Sequence, residues 1–292
     1  MKTAVLSRSL GRQCGISEYA VCLAERLEGI AVGRVEDVPV SANPVFIQYE
    51  PSLYSGVIDL LNEISQIEGI PVIDIHTEIP ADIVPVLVAA LQHRTAVVAV
   101  KRGPRPDTWF LPHISYSPVG VPTSPPKEIY LGSFGFALPN KRYEHLIELA
   151  IRLKVPLTIL AAVADATPGI KALSEGYIDY LRMQTHSRED INIVSSFLTH
   201  EQIIEELRKC SHLFSTMENL DRISGSMRMM ALAGRPVISL PCVGANEIGA
   251  VKIRSLSEVT LSFLEKPHPL PSFPDGLKEY YELIKHLEQV CV

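Results

Sequence analysis

The cysteine patterns that make disulfides and metal sites are missing from this chain. Its five cysteines, Cys14, Cys22, Cys210, Cys242 and Cys291, are odd in number, widely scattered and form no Cys-x-x-Cys pair. That excludes a disulfide framework or a zinc site and predicts reduced, mostly packed thiols. Long apolar runs are missing too. None approaches the roughly 20 residues of a membrane-spanning helix, and Met1-Lys2-Thr3 leads straight into a strand-like Ala4-Val5-Leu6 rather than a secretory signal. The expected compartment is the cytoplasm. There is also no excess of positive charge: the net charge of −6 gives the whole molecule no general attraction to nucleic acid. The local exception is the basic stretch Lys101-Arg102-Gly103-Pro104-Arg105, a solvated loop or a contact for an acidic partner or anionic surface.

What is present is enough apolar material for a large core. With 292 residues, 47% hydrophobic and 21% charged, the chain has the length of two ordinary domains. Apolar periodicity predicts strands at Thr3–Leu6, Val45–Gln48, Pro71–Ile75 and Thr95–Val100. Between them it predicts helices at Ser17–Leu27, Val57–Ile67 and Ala81–Gln92. The second half alternates in the same way: strands Glu128–Gly132, Leu157–Ala161, Ile191–Val194 and His212–Ser215, helices Arg142–Leu153, Ile170–Met183 and Thr199–Lys209. Such alternation favours parallel β-α-β units. A proline-rich connector between Pro112 and Pro126 cannot be helical and serves as a linker. The expected organisation is therefore a first domain over 1–125, a second over 126–275 and a closing helix over 276–292.

Two loops in the second half carry the functional signal. One is Glu218 to Ser226, an acidic Ser/Gly segment that opens a short helix closing on Gly234-Arg235-Pro236 before the strand that starts at Val237. Free N–H groups and a positive helix end beside small residues suit an anion such as a diphosphate. Taken alone, Ser224 or Asp221 is equally an ordinary N-cap and Gly234 an ordinary C-cap. The other is Gly132-Ser133-Phe134-Gly135 followed by Pro139-Asn140-Lys141-Arg142. Two cations in a helix's first turn are unfavourable unless an anion is near, and two such loops in one half suggest a nucleotide.

These motifs, with the glycine loop Gly11-Arg12-Gln13-Cys14-Gly15-Ile16, the strand end Val72-Ile73-Asp74-Ile75-His76-Thr77, Leu111-Pro112-His113 and Ala233-Gly234-Arg235-Pro236, resemble the retaining glycosyltransferases of GT-B fold. The resemblance implies an α/β chain of two Rossmann-like β/α/β domains facing each other across a cleft, with a C-terminal helix that can cross back to the first. It implies transfer of a sugar from a nucleoside-diphosphate sugar, with retention, to an acceptor on the first domain's side. Lys141, with Arg142 as substitute, would stabilise charge on the departing diphosphate. Gly225 and Ser226 would hold the distal phosphate, with Ser224, Gly132, Ser133, Gly15 and Arg12 also on the donor side. Glu218 or Asp221 would take hydrogen bonds from sugar hydroxyls, or would simply cap the helix. His76 lies at a strand's C-terminal end, where open α/β sheets place ligands, and would touch sugar or acceptor. His113 and Glu50 would line the acceptor side, though each is equally a loop residue.

No Asp-x-Asp motif is present, in keeping with metal independence, and no cofactor is expected beyond the nucleotide sugar as donor substrate. One departure stands out. The family's two glutamates separated by seven residues align here with Asp221 and Met229, so the carboxylate that would hold the ribose is missing. Two other readings stay open: a GT-B binding module that has lost catalysis, and transfer to modified nucleic acid, which the acidic balance disfavours.

Overall fold

A computed structural model describes residues 2–12, 15–76, 83–91, 96–100, 108–112, 114, 124, 126–165, 167–217, 225–272 and 275–290. The chain divides into two compact units, one of Met1–Ser117 with Pro274–Val292, the other of Pro118–Phe273.

In the first unit, β1 (Lys2–Leu6), α1 (Gly15–Arg26), β2 (Ile30–Val32), β3 (Ala42–Tyr49), α2 (Val57–Ser65), β4 (Pro71–Ile75), α3 (Ile83–Leu91), β5 (Val97–Val100) and β6 (Trp109–Phe110) follow one another. Their sheet runs β2-β1-β3-β4-β5-β6, with every pairing parallel. Such a sheet is covered on both faces, so its strands read as continuous apolar runs. β4 is buried at every position, and Leu6, Ile47, Ile73, Leu60, Ile64 and Leu87 meet in the core. Each such side chain contributes about 1.5–3 kcal/mol by leaving water.

The second unit continues with β7 (Leu131–Phe134), α4 (Tyr143–Leu153), β8 (Leu157–Leu160), α5 (Pro168–Thr185), β9 (Ile191–Val194), α6 (His200–Arg208), β10 (His212–Ser215) and α7 (Gly225–Leu232). It closes with β11 (Val237–Ser239), α8 (Val243–Glu247), β12 (Val251–Lys252) and the short α9 (Leu261–Leu264). The sheet order is β12-β11-β10-β7-β8-β9, again all parallel. The chain starts in the middle at β7, builds outward to β9, then returns to the other side of β7 with β10. The sheet therefore has its topological switch point between β7 and β10, at whose C-terminal ends open α/β sheets place their ligands. The core is formed by Leu131, Leu146, Ile147, Leu157, Ile159, Phe214 and Ile238.

The final helix, α10 (Leu277–Val290), belongs to the first unit. Tyr280 is fully buried there and donates to the Asp74 carboxylate at 2.7 Å, while Asp275 pairs with Arg26 at 2.5 Å. The strand expected at Glu128–Gly132 begins three residues later. Tyr130 is held instead by Ser211, whose hydroxyl accepts from the Tyr130 N–H at 2.8 Å, so the ladder starts at Leu131.

Candidate functional site

The switch point between β7 and β10 collects the residues that matter most. β7 is followed by Gly135, whose φ of +153° lies in a region side chains rarely adopt. A Cβ there would stand 3.1 Å from the Lys141 Nζ and 3.0 Å from the Tyr143 hydroxyl, so the missing side chain is what lets both polar heads close in on the same point. After Gly135 the chain makes a 3-10 turn over Pro139–Lys141, and Arg142, left-handed at φ +51°, leads into α4. The Thr216 hydroxyl, just past β10, donates to the Lys141 carbonyl and ties that turn to the neighbouring strand.

From this turn Lys141 reaches α7 and donates to the Ser226 hydroxyl at 3.0 Å. α7 opens at Gly225, and the first N–H groups of a helix have no partner inside it. An ammonium thus stands at the positive end of a helix dipole, an arrangement that repels cations and attracts anions. Burial pulls the Lys141 pKa down from 10.5 to about 8. Tyr143, 1% exposed, stacks on Tyr177 with centroids 6.3 Å apart. Its hydroxyl finds no hydrogen-bond partner among the described residues, and burial pushes its pKa up.

Two of the glycine-loop residues have packing roles. Gly132 sits mid-sheet, where a Cβ would come within 2.6 Å of the Cys210 sulfur. The Ser133 hydroxyl is buried and donates to the Phe214 carbonyl at 2.7 Å. The two polar heads meet at Gly135, just past the end of β7. Glu218, Asp221 and Ser224, and likewise His113 and the basic stretch from Lys101 to Arg105, lie outside the described residues. Met229 is 3% exposed, an apolar side chain of the second unit's interior.

In the first unit, the sheet reverses between β1 and β3. Gly11, at φ +81°, and the exposed Arg12 follow β1; Gly15 opens α1; Glu50 follows β3. His76 sits at the end of β4, inside a buried polar network. Its Nε2 meets the Gln48 side-chain Oε1, the Gln48 Nε2 donates to Asp74 at 3.3 Å, and the Tyr19 ring lies edge-on to the imidazole at 4.8 Å. Its Nε2 is thereby engaged within the protein. Nearby, a residue the sequence reading passed over is heavily engaged: Arg8 pairs with Asp59 at 2.6 Å and Glu63 at 3.0 Å and covers the Tyr54 ring at 4.1 Å. The guanidinium holds the Asp59 carboxyl well below the usual range.

Tyr143 and Thr216 are the site residues that sequence reasoning misses. Tyr143 falls on the apolar face of α4 and reads as core. Among the described residues no group of three His, Cys, Asp or Glu side chains could hold a metal ion, and no helix is long and apolar enough to cross a membrane.

No protein-family model matches the chain, and no curated protein does. Solved structures do. HepE of Anabaena, in complex with UDP-glucose, is similar over 100% of this chain and 90% of its own, with 12% identity and a TM-score of 0.59. A glycosyltransferase from Rickettsia africae is similar over 98% and 93%, with 12% identity and a TM-score of 0.57. A UDP-forming α,α-trehalose-phosphate synthase from Burkholderia xenovorans covers 87% of this chain and 70% of its own, at 12% identity and a TM-score of 0.54. At this identity the likeness shows the fold, and that fold is GT-B, with two Rossmann-like α/β units.

Proposed function

We propose that this protein is a glycosyltransferase that moves a sugar, such as a hexosyl group, from a nucleoside-diphosphate sugar to an acceptor hydroxyl. The observation that carries the reading is the Lys141 ammonium, held 3.0 Å from Ser226 at the opening of α7, at the point where the sheet of the second unit reverses. In the reaction the anomeric C–O bond to the diphosphate breaks with its electron pair on oxygen. The acceptor oxygen bonds the same carbon and releases its proton. Negative charge grows on the leaving diphosphate, and a preorganised cation with oriented N–H groups lowers the barrier for that departure. Lys141, Gly225 and Ser226 supply these groups, with Arg142 beside them. Retention at the anomeric carbon, sugar contacts by Glu218 or Asp221, and a cytoplasmic place of action belong to the same proposal. No metal or other cofactor is assigned to it, because Lys141 supplies the positive charge. HepE is in complex with UDP-glucose and the trehalose-phosphate synthase is UDP-forming, so UDP-sugars are the donors to try first.

The experiment is donor turnover by the purified protein with UDP-, GDP- and ADP-sugars, alone and with Lys141→Ala. Wild-type turnover that Lys141→Ala reduces by 100-fold or more is expected. Equal turnover by both would remove the phosphate assignment. A second reading, a nucleotide-binding module without transfer, is favoured by Met229, a buried thioether where the resemblance expects a ribose-binding carboxylate. Calorimetric binding of UDP without release of sugar would support it.

A further inference from the structure

We propose that the Tyr143 hydroxyl is a direct ligand of the phosphoryl group bound beside Lys141, a donor from the floor of the site; this rests on the diphosphate reading above. Three observations converge. The hydroxyl is buried and lacks a partner among the described residues, a costly state for a polar group that a bound acceptor would relieve. It converges with the Lys141 ammonium on the bare face of Gly135, the two polar heads lying 3.0 Å and 3.1 Å from the position a Cβ would take. And the ring is fixed: its stack on Tyr177 and the hydrogen bond from the Tyr143 N–H to the Tyr177 hydroxyl at 2.8 Å leave the phenol little freedom to turn elsewhere.

The chemistry specifies the ligand atom. A phenol that stays protonated offers one O–H donor, which a phosphoryl oxygen accepts, whereas a cation or an ammonium group would find no charge there to meet. Tyr143 and Lys141 approach the oxygens from two sides, and the N–H groups of α7 from a third. Such a cradle holds a tetrahedral phosphoryl group better than a planar carboxylate. Tyr143 thus adds a hydrogen bond that fixes orientation without adding charge.

The test compares wild type with Tyr143→Phe by calorimetric titration of UDP, inorganic pyrophosphate and uridine, together with the melting temperature of each unliganded protein. Phenylalanine keeps the stack and removes only the oxygen. The expected result is UDP and pyrophosphate affinity reduced by ten- to a hundredfold, uridine binding unchanged, and an unliganded melting temperature equal to or above wild type. Equal pyrophosphate affinity in the two proteins overturns the proposal, whatever happens to stability. If wild type binds pyrophosphate but not UDP, the nucleotide reading fails while the Tyr143 assignment is still judged on pyrophosphate. If wild type binds neither, both fall.

Discussion

Lys141 sets the chemistry of the site at the scale of a single residue. Its pKa of about 8, against 10.5 in water, means that the enclosed ammonium is on the order of 3 kcal/mol less stable than a solvated one. An anion in contact offsets that. The folded-state value lies below the unfolded one, so between about pH 8 and 10.5 the unfolded chain holds a proton that the folded chain has lost. In that window this group makes stability rise with pH, while anion affinity falls. Phosphate's own second ionisation, near pH 6, is complete by pH 7. UDP affinity is therefore expected to drop about tenfold between pH 7 and pH 9, and Lys141→Met should flatten that dependence. Titration calorimetry at the two pH values checks it; a wild-type affinity that does not change would show that the ammonium is not in contact with the ligand. Gly135 gives a complementary case. An alanine methyl would press on both polar heads at 3.0–3.1 Å and displace them, at a φ that suits glycine. Gly135→Ala is expected to abolish detectable UDP binding while circular dichroism shows the fold retained. Unaltered binding would place the ligand elsewhere.

At the scale of elements, the sequence was most informative where periodicity had length to act. β4, β9 and β10 occupy the spans that the apolar pattern predicts, Pro71–Ile75, Ile191–Val194 and His212–Ser215. β2, β6, β12 and α9 were not legible, because two to four residues hold no period. Strand order was not legible either, since pairing of β10 with β7 joins segments about 80 residues apart. The candidate site divides the same way: Lys141 and Ser226 are visible as polar residues in glycine loops, while Tyr143 hides in an apolar stripe and only its hydroxyl's direction reveals it. One tie between several elements is concealed by composition. Arg235 is 1% exposed and donates to the carbonyls of Arg208, Cys210 and Ser124, joining the end of α6, the start of β10 and the linker to the turn before β11. Arg235→Leu is expected to destabilise by at least about 2 kcal/mol, since several buried carbonyls lose a charged donor. Thr199→Ala, which removes one half of the exposed capping box of α6, should cost only about 1 kcal/mol. Urea denaturation measures both, and the reverse order would contradict this account.

At the scale of the whole molecule, the first unit is assembled from both ends of the chain. Its sheet is begun by Lys2–Leu6 and its last helix is Leu277–Val290, so the second unit is inserted within it. The seam is chemical as well as topological: Asp74, a carboxylate within a fully buried strand, accepts a hydrogen bond of 2.7 Å from Tyr280 on α10, and the Tyr280 hydroxyl in turn meets Tyr19 at 3.0 Å. A buried carboxylate that loses its donor is costly, whereas the residues of the diphosphate site, Gly135, Lys141, Tyr143 and Ser226, all lie in the second unit. Tyr280→Phe should therefore separate the two. Hydrogen exchange is expected to accelerate in β3, β4 and α1, with UDP still slowing exchange across residues 131–143 and 225–232 to the wild-type extent. A mutant that lost UDP protection at those segments would show that donor binding depends on the integrity of the first unit, and the site would then have to be redrawn to include it.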